Sequence, residues 1–278
     1  MKKEERCIYY DTDLQIEMYE FKGIEQKFVS HFHKNYVIGV VEAGNRDFVC
    51  SGKCCVINAG DILLINPGQV HGCEQIGSEN LHYFSFNIAI DIMRKAMQEI
   101  TGQNILPHFT ENVIKSELIK QNLADLKQMI LSDCNDFAKE ELFLLIMEQL
   151  AGIYSDSDMG QEKIVGLSKI NCIVRYLEEN FYRSITLDEL SLAGGISKYH
   201  LIRSFTKMKG ISPHKYLETV RIEKSKQFLE QNFPLAQVAL KAGFTDQSHF
   251  TNAFKSLIGL TPKIYQNIMR ENGKKWDI

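Results

Sequence analysis

The sequence predicts an α+β protein of two domains. The first is an N-terminal β-barrel with a helical hairpin, and the second is an all-α domain in which a long helix joins two helix-turn-helix units. Apolar runs alternate with period two between residues 28 and 88, and helical periodicity replaces this pattern from about residue 116. Beyond residue 167 one helical pattern occurs twice. A chain of 278 residues is long enough for two cores.

Five short apolar segments predict the strands of the barrel. They are residues 36–41, 46–50, 54–57, 61–65 and 81–87. Glycine or proline turns separate them, for example at Gly44, Gly60 and Pro67. Closely spaced strands joined by tight turns are typical of a small barrel or sandwich.

Two amphipathic helices follow the strands. The first has Leu118, Leu123, Leu126, Met129 and Ile130 on one face, and the second has Leu142, Leu145, Ile146, Gln149 and Leu150. They can cover the sheet, form a dimer contact, or do both. Residues 154–162 are polar and indicate a linker. We therefore expect a first domain over 1–155, a linker over 156–166 and a second domain over 167–278.

An internal repeat organises the second domain. A shift of 49 residues superposes Ala193, Gly194, His200, Phe205, Gly210, Pro213 and Tyr216 on Ala242, Gly243, His249, Phe254, Gly259, Pro262 and Tyr265. Each copy has a short helix, a glycine and a longer helix, which predicts helix-turn-helix units at about 187–208 and 235–257. Gly194 and Gly243 stand where we expect a positive φ.

The two longer helices differ on their outward faces. In the first copy, Tyr199, Ile202, Arg203 and Thr206 lie opposite the apolar face, and in the second copy Ser248, Thr251, Asn252 and Lys255 do. Different polar sets on one scaffold suit two readers of different base pairs. Arg203 could pair with guanine, and Asn252 or Gln247 with adenine. The joining helix, from about 213 to 230, could hold the two readers roughly 34 Å apart, facing successive major-groove segments.

Charge is distributed unevenly between the two halves. From residue 181 onward there are 15 Lys and Arg against 8 Asp and Glu, which leaves 17 against 27 for residues 1–180. A basic domain beside an acidic one is consistent with a module that binds phosphate. Lys207, Lys209, Lys255 and Lys263 are the expected phosphate contacts.

The second half closely resembles the DNA-binding domain of the AraC/XylS family. The resemblance covers about a hundred residues and rests on five segments: 196–205, 210–216, 221–226, 243–255 and 259–265. It implies that Tyr199, Ile202 and Arg203, and in the second unit Ser248, Thr251 and Asn252, occupy base-facing positions. Ile202 departs from the polar residue of the family pattern, and Asn252 stands where an arginine is frequent.

The first half resembles the cupin-type effector domain that precedes many such DNA-binding domains. His31 and His33 are two residues apart and share a strand face, and His71 ends the segment 60–71, whose turn could bring it alongside them. We expect these three histidines and Arg46 to bind a polar effector, with Tyr36 and Phe84 as an apolar wall. Sugars are a frequent effector class in such families.

Two other site chemistries are open at this point. The three histidines could bind a metal, but Ile38 stands near where cupin enzymes have a glutamate ligand, so we expect neither a metal nor another cofactor. Cys50, Cys54 and Cys55 could sense redox state or metal, although adjacent strand residues point to opposite faces. A cupin enzyme with a helical accessory domain is the third alternative, and the doubled helix-turn-helix argues against it.

The expected partners follow from this interpretation. They are double-stranded DNA, a small-molecule effector such as a sugar, RNA polymerase and a second copy of the chain, with the helices of 116–153 as the dimer contact. No apolar run approaches the roughly 20 residues that span a bilayer, and residues 1–17 lack the apolar stretch of a secretory signal. We therefore expect a cytoplasmic activator, neither an enzyme nor a membrane protein.

Overall fold

Residues 4–132, 137–156 and 166–270 are described by the computed structural model. The chain divides into two units. The first holds the described residues of 1–134 and 142–162, and the second holds those of 135–141 and 163–278. The predicted linker lies almost entirely outside the described residues.

Antiparallel strands build the first unit. In its described residues they are β1 (Glu5–Asp11), β2 (Ile16–Ile24), β3 (Phe28–His31), β4 (Tyr36–Ala43), β5 (Asn45–Cys50), β6 (Lys53–Ile57), β7 (Ile62–Ile65), β8 (His71–Ile76), β9 (Leu81–Ile88) and β10 (Val113–Ile114). One sheet has the order β1-β2-β9-β4-β7-β10 and the other β3-β8-β5-β6. The five predicted strands correspond to β4, β5, β6, β7 and β9, while β1, β2, β8 and β10 were not predicted.

The two sheets enclose one apolar interior. Val37 and Val41 of β4 share a core cluster with Phe48 and Cys50 of β5, although these strands belong to different sheets. The intervening Ile38 and Val40 of β4 are also buried, at 0% and 3% exposure. Because successive strand residues point to opposite faces, β4 is buried on both faces.

Three helices accompany the strands: α1 (Ile90–Thr101), α2 (Glu117–Leu131) and α3 (Ala138–Tyr154). The predicted hairpin corresponds to α2 and α3, which are linked by a hydrogen bond from Asn122 Nδ2 to Gln149 Oε1 of 3.3 Å. Helix α1 was not predicted, although its buried residues recur at helical spacing. These are Ile92, Met93, Ala96, Met97 and Ile100.

A buried lysine holds α2 against the six-stranded sheet. Lys127 Nζ lies 2.8 Å from a carboxylate oxygen of Glu20 on β2 and 2.9 Å from one of Glu42 on β4. It also lies 4.6 Å from the ring centroid of Phe84 on β9. The side chains of Lys127 and Glu20 are 8% and 9% exposed, and the half-exposed Lys22 is the second partner of Glu20, at 3.0 Å. Helix α2 therefore covers the face of the sheet that bears Phe84.

Helices alone build the second unit in its described residues. Apart from the first turn of α3, they are α4 (Leu167–Asn180), α5 (Leu187–Gly194), α6 (Lys198–Lys209), α7 (Pro213–Glu230), α8 (Leu235–Lys241), α9 (Gln247–Ile258) and α10 (Pro262–Arg270). The pairs α5–α6 and α8–α9 are the two predicted helix-turn-helix units, and the 18-residue α7 joins them. A capping box between Thr186 and Glu189 begins α5.

The glycine turn differs between the two copies. In the second copy Gly243 has φ +85°, as predicted. In the first copy the positive φ lies at Gly195, not at Gly194. Gly194 is instead the last residue of α5, where a Cβ would lie 2.8 Å from Cδ1 of Ile173. A side chain at Gly194 would therefore press on Ile173, whereas its backbone is not left-handed.

In the described residues, none of the helices has both the length and the apolar character that crossing a membrane requires.

Replacing Lys127 with alanine should destabilise the first unit by about 2 kcal/mol, because Glu20 loses its buried partner and keeps only Lys22, whose side chain is 44% exposed. The measurement is native-state hydrogen exchange of the β4 amides, which reports opening of this unit. Lys120→Ala is the matched control, since Lys120 pairs with the exposed Glu117 on the same helix. The Lys120→Ala variant should lower the free energy of unfolding of the first unit by less than about 0.5 kcal/mol. Equal losses would contradict the structural role of Lys127.

Replacing Gly243 with alanine should lower the free energy of unfolding of the second helix-turn-helix unit by about 3 kcal/mol or more. Backbone strain and a steric clash both contribute to this loss. The φ of Gly243 is left-handed, and an added Cβ would lie 2.2 Å from the carbonyl oxygen of Phe181. Gly259→Ala carries only the backbone strain, because its φ is +84° and no heavy atom lies within 4 Å. We expect about 1 kcal/mol for that control. Hydrogen exchange of the α9 amides measures both, and similar values would show that the clash is relieved without cost.

Candidate functional site

The longer helix of each helix-turn-helix unit begins and ends in the same way. Ser197 caps α6 by accepting a hydrogen bond from His200 N, and Asp246 caps α9 through His249 N. Both helices have 12 residues and end at a glycine with left-handed backbone, Gly210 or Gly259. Fixed ends give each helix a defined length and a defined exposed face.

Helix α9 presents the polar face that the sequence predicts. Gln247, Ser248 and Asn252 are exposed, and Thr251 is half-buried. The opposite face is buried through Phe250, Ala253 and Phe254, all at or below 5% exposure. The Thr251 hydroxyl donates to the carbonyl oxygen of Gln247 at 2.7 Å, so it is engaged within the helix.

Helix α6 presents fewer of its predicted residues. Arg203 is exposed, but Ile202 is 1% exposed and Tyr199 is 8% exposed. The prediction that Ile202 and Tyr199 face outward is therefore wrong for this structure. Ile202 is buried because its side chain is apolar, and removing an apolar side chain from water is favourable. Arg203 and Thr206 are the polar, exposed members of the predicted set on α6.

The four lysines predicted to contact phosphate all lie at the surface. Lys207 and Lys209 are exposed in the last turn of α6, Lys255 in the last turn of α9, and Lys263 in the first turn of α10. Exposed ammonium groups beside the recognition helices are suited to contacts with a nucleic-acid backbone.

A cavity of about 210 Å³ lies in the barrel of the first unit. Its wall is mainly aromatic and aliphatic, with polar groups from three histidines and from β9. The residues around it are Tyr19, Phe21, Phe28, His31, His33, Val37, Phe48, Ile57, Leu63, Ile65, His71, Gly72, Cys73, Leu81, Tyr83, Ser85 and Asn87.

The three predicted histidines converge on this cavity. Their ring centroids are 4.8 Å apart for His31 and His33, 4.5 Å for His31 and His71, and 5.2 Å for His33 and His71. Pairing of His31 on β3 with His71 on β8 brings the two segments together. Burial lowers the pKa of His71 to about 4 and also lowers that of His33, so both rings are neutral near pH 7.

Two predicted effector contacts lie on the wrong face of their strands. The Tyr36 hydroxyl donates to the carbonyl oxygen of Pro107 at 2.8 Å, and burial raises its pKa to about 12. Phe84 lies beneath Lys127 of α2. Neither residue lines the cavity. The cavity side of β4 and β9 belongs instead to Val37 and to Tyr83, Ser85 and Asn87.

Arg46 is the third correction. It is 0% exposed, and its guanidinium donates to the backbone carbonyl oxygens of Ile24, Gln26 and Glu25. It does not line the cavity. Its contacts tie β5 to the segment between β2 and β3, which is a structural role that an isolated arginine in a strand pattern does not reveal.

Sequence reasoning missed Tyr83, and a glycine was the available signal. A Cβ at Gly39 would lie 2.1 Å from the Tyr83 hydroxyl oxygen, so the tyrosine ring occupies the space above that glycine. Gly39 pairs with Ser85 in the register of β4 and β9. A glycine inside an otherwise apolar strand thus marks where the ring of a residue on the neighbouring strand lies flat over the backbone.

The predicted cysteine cluster does not converge. Cys54 and Cys55 are exposed, Cys50 is buried, and all three are free thiols. Within the ranges that the structure describes, the single group of metal-ligating side chains is His31, His33 and His71.

Comparison with known proteins gives the family. Residues 13–147 match the model of the AraC-like ligand binding domain, and residues 190–268 match that of a helix-turn-helix domain. The chain is 43% identical over 249 residues to the uncharacterized HTH-type transcriptional regulator YbfI of Bacillus subtilis (strain 168), with 90% of each chain covered. The chain belongs to the AraC family. It is an AraC-type transcriptional regulator with an N-terminal ligand-binding domain and a C-terminal DNA-binding domain, and not an enzyme, as predicted.

More distant AraC-family relatives span most of the chain as well. It is 23% identical to the HTH-type transcriptional activator RhaS of Klebsiella pneumoniae (strain 342), with 86% of this chain and 87% of the relative covered. It is 24% identical to the raffinose operon transcriptional regulatory protein RafR of Pediococcus pentosaceus, with 95% and 94% covered.

Proposed function

We propose that this AraC-type regulator reads two successive segments of DNA with α6 and α9, and that a small molecule in the barrel cavity controls it. One observation carries the proposal for DNA. Two helices of equal length, capped alike, expose different polar side chains. Such an arrangement suits a protein whose two readers contact different base pairs.

The base contacts divide between the two helices. Arg203 of α6 donates through two of its guanidinium nitrogens to guanine O6 and N7, which is the commonest specific contact in the major groove. Gln247 or Asn252 of α9 pairs with adenine N6 and N7. Ser248 and Thr251 adjoin them. Lys207, Lys209, Lys255 and Lys263 contact phosphates and supply affinity that does not depend on sequence.

The effector site is the cavity with its histidine cluster. A cavity of about 210 Å³ is smaller than the roughly 300–1,000 Å³ typical for drug-sized ligands, so it suits a small metabolite. Aromatic walls suit the C–H faces of a sugar ring, while the histidines and the β9 polar groups suit its hydroxyls. The relative RafR is named for a raffinose operon, which supports a sugar among the candidates.

Assembly and output complete the proposal. The exposed apolar residues Leu118 and Leu131 of α2 and Ile153 of α3 support a homodimer contact through these helices. The relative RhaS is named an activator, which supports activation through RNA polymerase. DNA binding implies that the protein works in the cytoplasm.

Replacing Arg203 with alanine should weaken binding to an operator selected from random duplexes by about 10- to 100-fold, the value of one bidentate guanine contact. Binding to random DNA should change little. The measurement is fluorescence anisotropy of the full chain on both duplexes over a range of salt concentrations.

Lys255→Ala is the matched control, because Lys255 is an exposed cation near the end of the other recognition helix. It should weaken binding to both duplexes alike and reduce the salt slope by about 1. Equal losses on both duplexes for Arg203→Ala would overturn its assignment as a base contact.

An effector should raise the melting temperature of the full chain, because a ligand that binds only the native state stabilises it. We expect a hit in a panel of sugars and other small metabolites. Asn87→Ala, on the cavity wall, should reduce the shift, whereas Asn122→Ala, a half-buried asparagine on α2, should preserve it. A shift that both variants retain would place the effector outside the cavity.

A further inference from the structure

The ring nitrogens of the histidine cluster already have the spacing of metal ligands. One nitrogen from each of His31, His33 and His71 lies within 4.8 Å of the other two. The Nε2 atoms of His31 and His33 are 3.2 Å apart. Two imidazole nitrogens on one tetrahedral ion, each at about 2.0–2.1 Å, stand roughly 3.4 Å apart. The first pair thus has about this separation, and the His71 nitrogen lies within 4.8 Å of both.

Backbone carbonyls orient two of the three rings. His31 Nδ1 lies 2.7 Å from the carbonyl oxygen of Val29, and His71 Nδ1 lies 2.9 Å from that of Gln69. A carbonyl oxygen can only accept, so each Nδ1 carries the proton and each Nε2 presents a lone pair. Metal-binding histidines are held in this way, with the non-ligating ring N–H donated to a carbonyl or carboxylate. This orientation is independent of the clustering itself.

We propose that His31, His33 and His71 bind one divalent transition-metal ion of the zinc, cobalt or nickel class. Three neutral imidazoles favour these ions over calcium and magnesium, which prefer oxygen ligands. Binding requires His33 to change tautomer. His31 Nε2 accepts in the His31–His33 hydrogen bond, so His33 Nε2 is the donor. On binding, the proton of His33 moves from Nε2 to Nδ1, and the ion takes its place at Nε2.

Three protein ligands leave at least one coordination position open. All three rings line the cavity, so an open position can face its interior. Among the described residues that line the cavity there is no Asp or Glu, so the ion would keep its full positive charge. We expect a carboxylate or hydroxyl oxygen of the effector to coordinate it. This last step rests on the proposed function, whereas the metal site does not.

The test is a Co²⁺ titration of the full chain, read by visible absorption after removal of metal with a chelator. We expect one equivalent of Co²⁺ with a spectrum of nitrogen and oxygen ligands. His33→Gln should lower the affinity for Co²⁺ by about 100-fold or more, because it removes one of three ligands. His108→Gln, the replacement of an exposed histidine elsewhere in the same unit, should bind as the parent chain does.

Three outcomes would overturn the metal site: no uptake of Co²⁺, equal affinity in the two variants, or a thiolate charge-transfer band that assigns the ion to cysteines. Circular dichroism checks that His33→Gln folds, and His31→Gln provides a second variant with the same expected loss. The proposed function fails separately. A chain that binds Co²⁺ but no specific DNA sequence would refute the proposed DNA reading and leave the metal site standing. A chain that binds a specific DNA sequence but takes up no Co²⁺ would refute the metal site and leave the DNA reading standing.

Discussion

Burial of the central strands on both faces is the constraint on which the first unit depends. Every residue from Tyr36 to Val41 of β4 is buried, and β7 is buried throughout. One face of this sheet encloses the cavity, and the other carries Lys127 and its carboxylate partners beneath α2. The parity of a residue along its strand therefore decides whether it can meet a ligand or packs beneath a helix.

This constraint explains which part of the barrel site the sequence could predict. His31 and His33 share a face by their spacing, and the turn before His71 brings that residue to them, so the cluster follows from the sequence. For β9 the pattern is ambiguous, because Tyr83 and Phe84 are both large and aromatic while the strand is covered on both faces. Periodicity alone does not tell which face of β9 borders the cavity, so Phe84 is predicted there, whereas Tyr83 lines the cavity. Arg46 was missed for a different reason, since its partners are backbone carbonyls that leave no mark in the sequence.

The helical unit was more predictable because its signals are local. Thr186 and Glu189, three residues apart, form a capping box, and helices α6 and α9 end at glycines that the repeat contains. Burial depends on tertiary packing, and there the sequence prediction was less successful. Ile202 occupies an outward position by helical spacing and is nevertheless buried. Its apolar side chain was the available warning, because a base-reading face is expected to be polar. The shift of the positive φ from Gly194 to Gly195 likewise reflects a contact, that of Gly194 with Ile173, which spacing cannot supply.

The histidine cluster also determines what kind of ligand the cavity can accept. His31 and His71 each donate to a backbone carbonyl, and His31 and His33 bond to each other, so the rings have partners although the surrounding wall is largely apolar. A ligand that separates the two rings must replace their hydrogen bond, because a buried polar group left without a partner costs about 1–3 kcal/mol. An apolar molecule of suitable size gains contact with the aromatic wall but incurs this cost. A molecule that offers the rings a new partner gains contact with the wall and also avoids the cost of the lost hydrogen bond. An ion that binds the rings likewise replaces that hydrogen bond. The barrel therefore selects its ligand by the chemistry that it presents to the histidines more than by its volume.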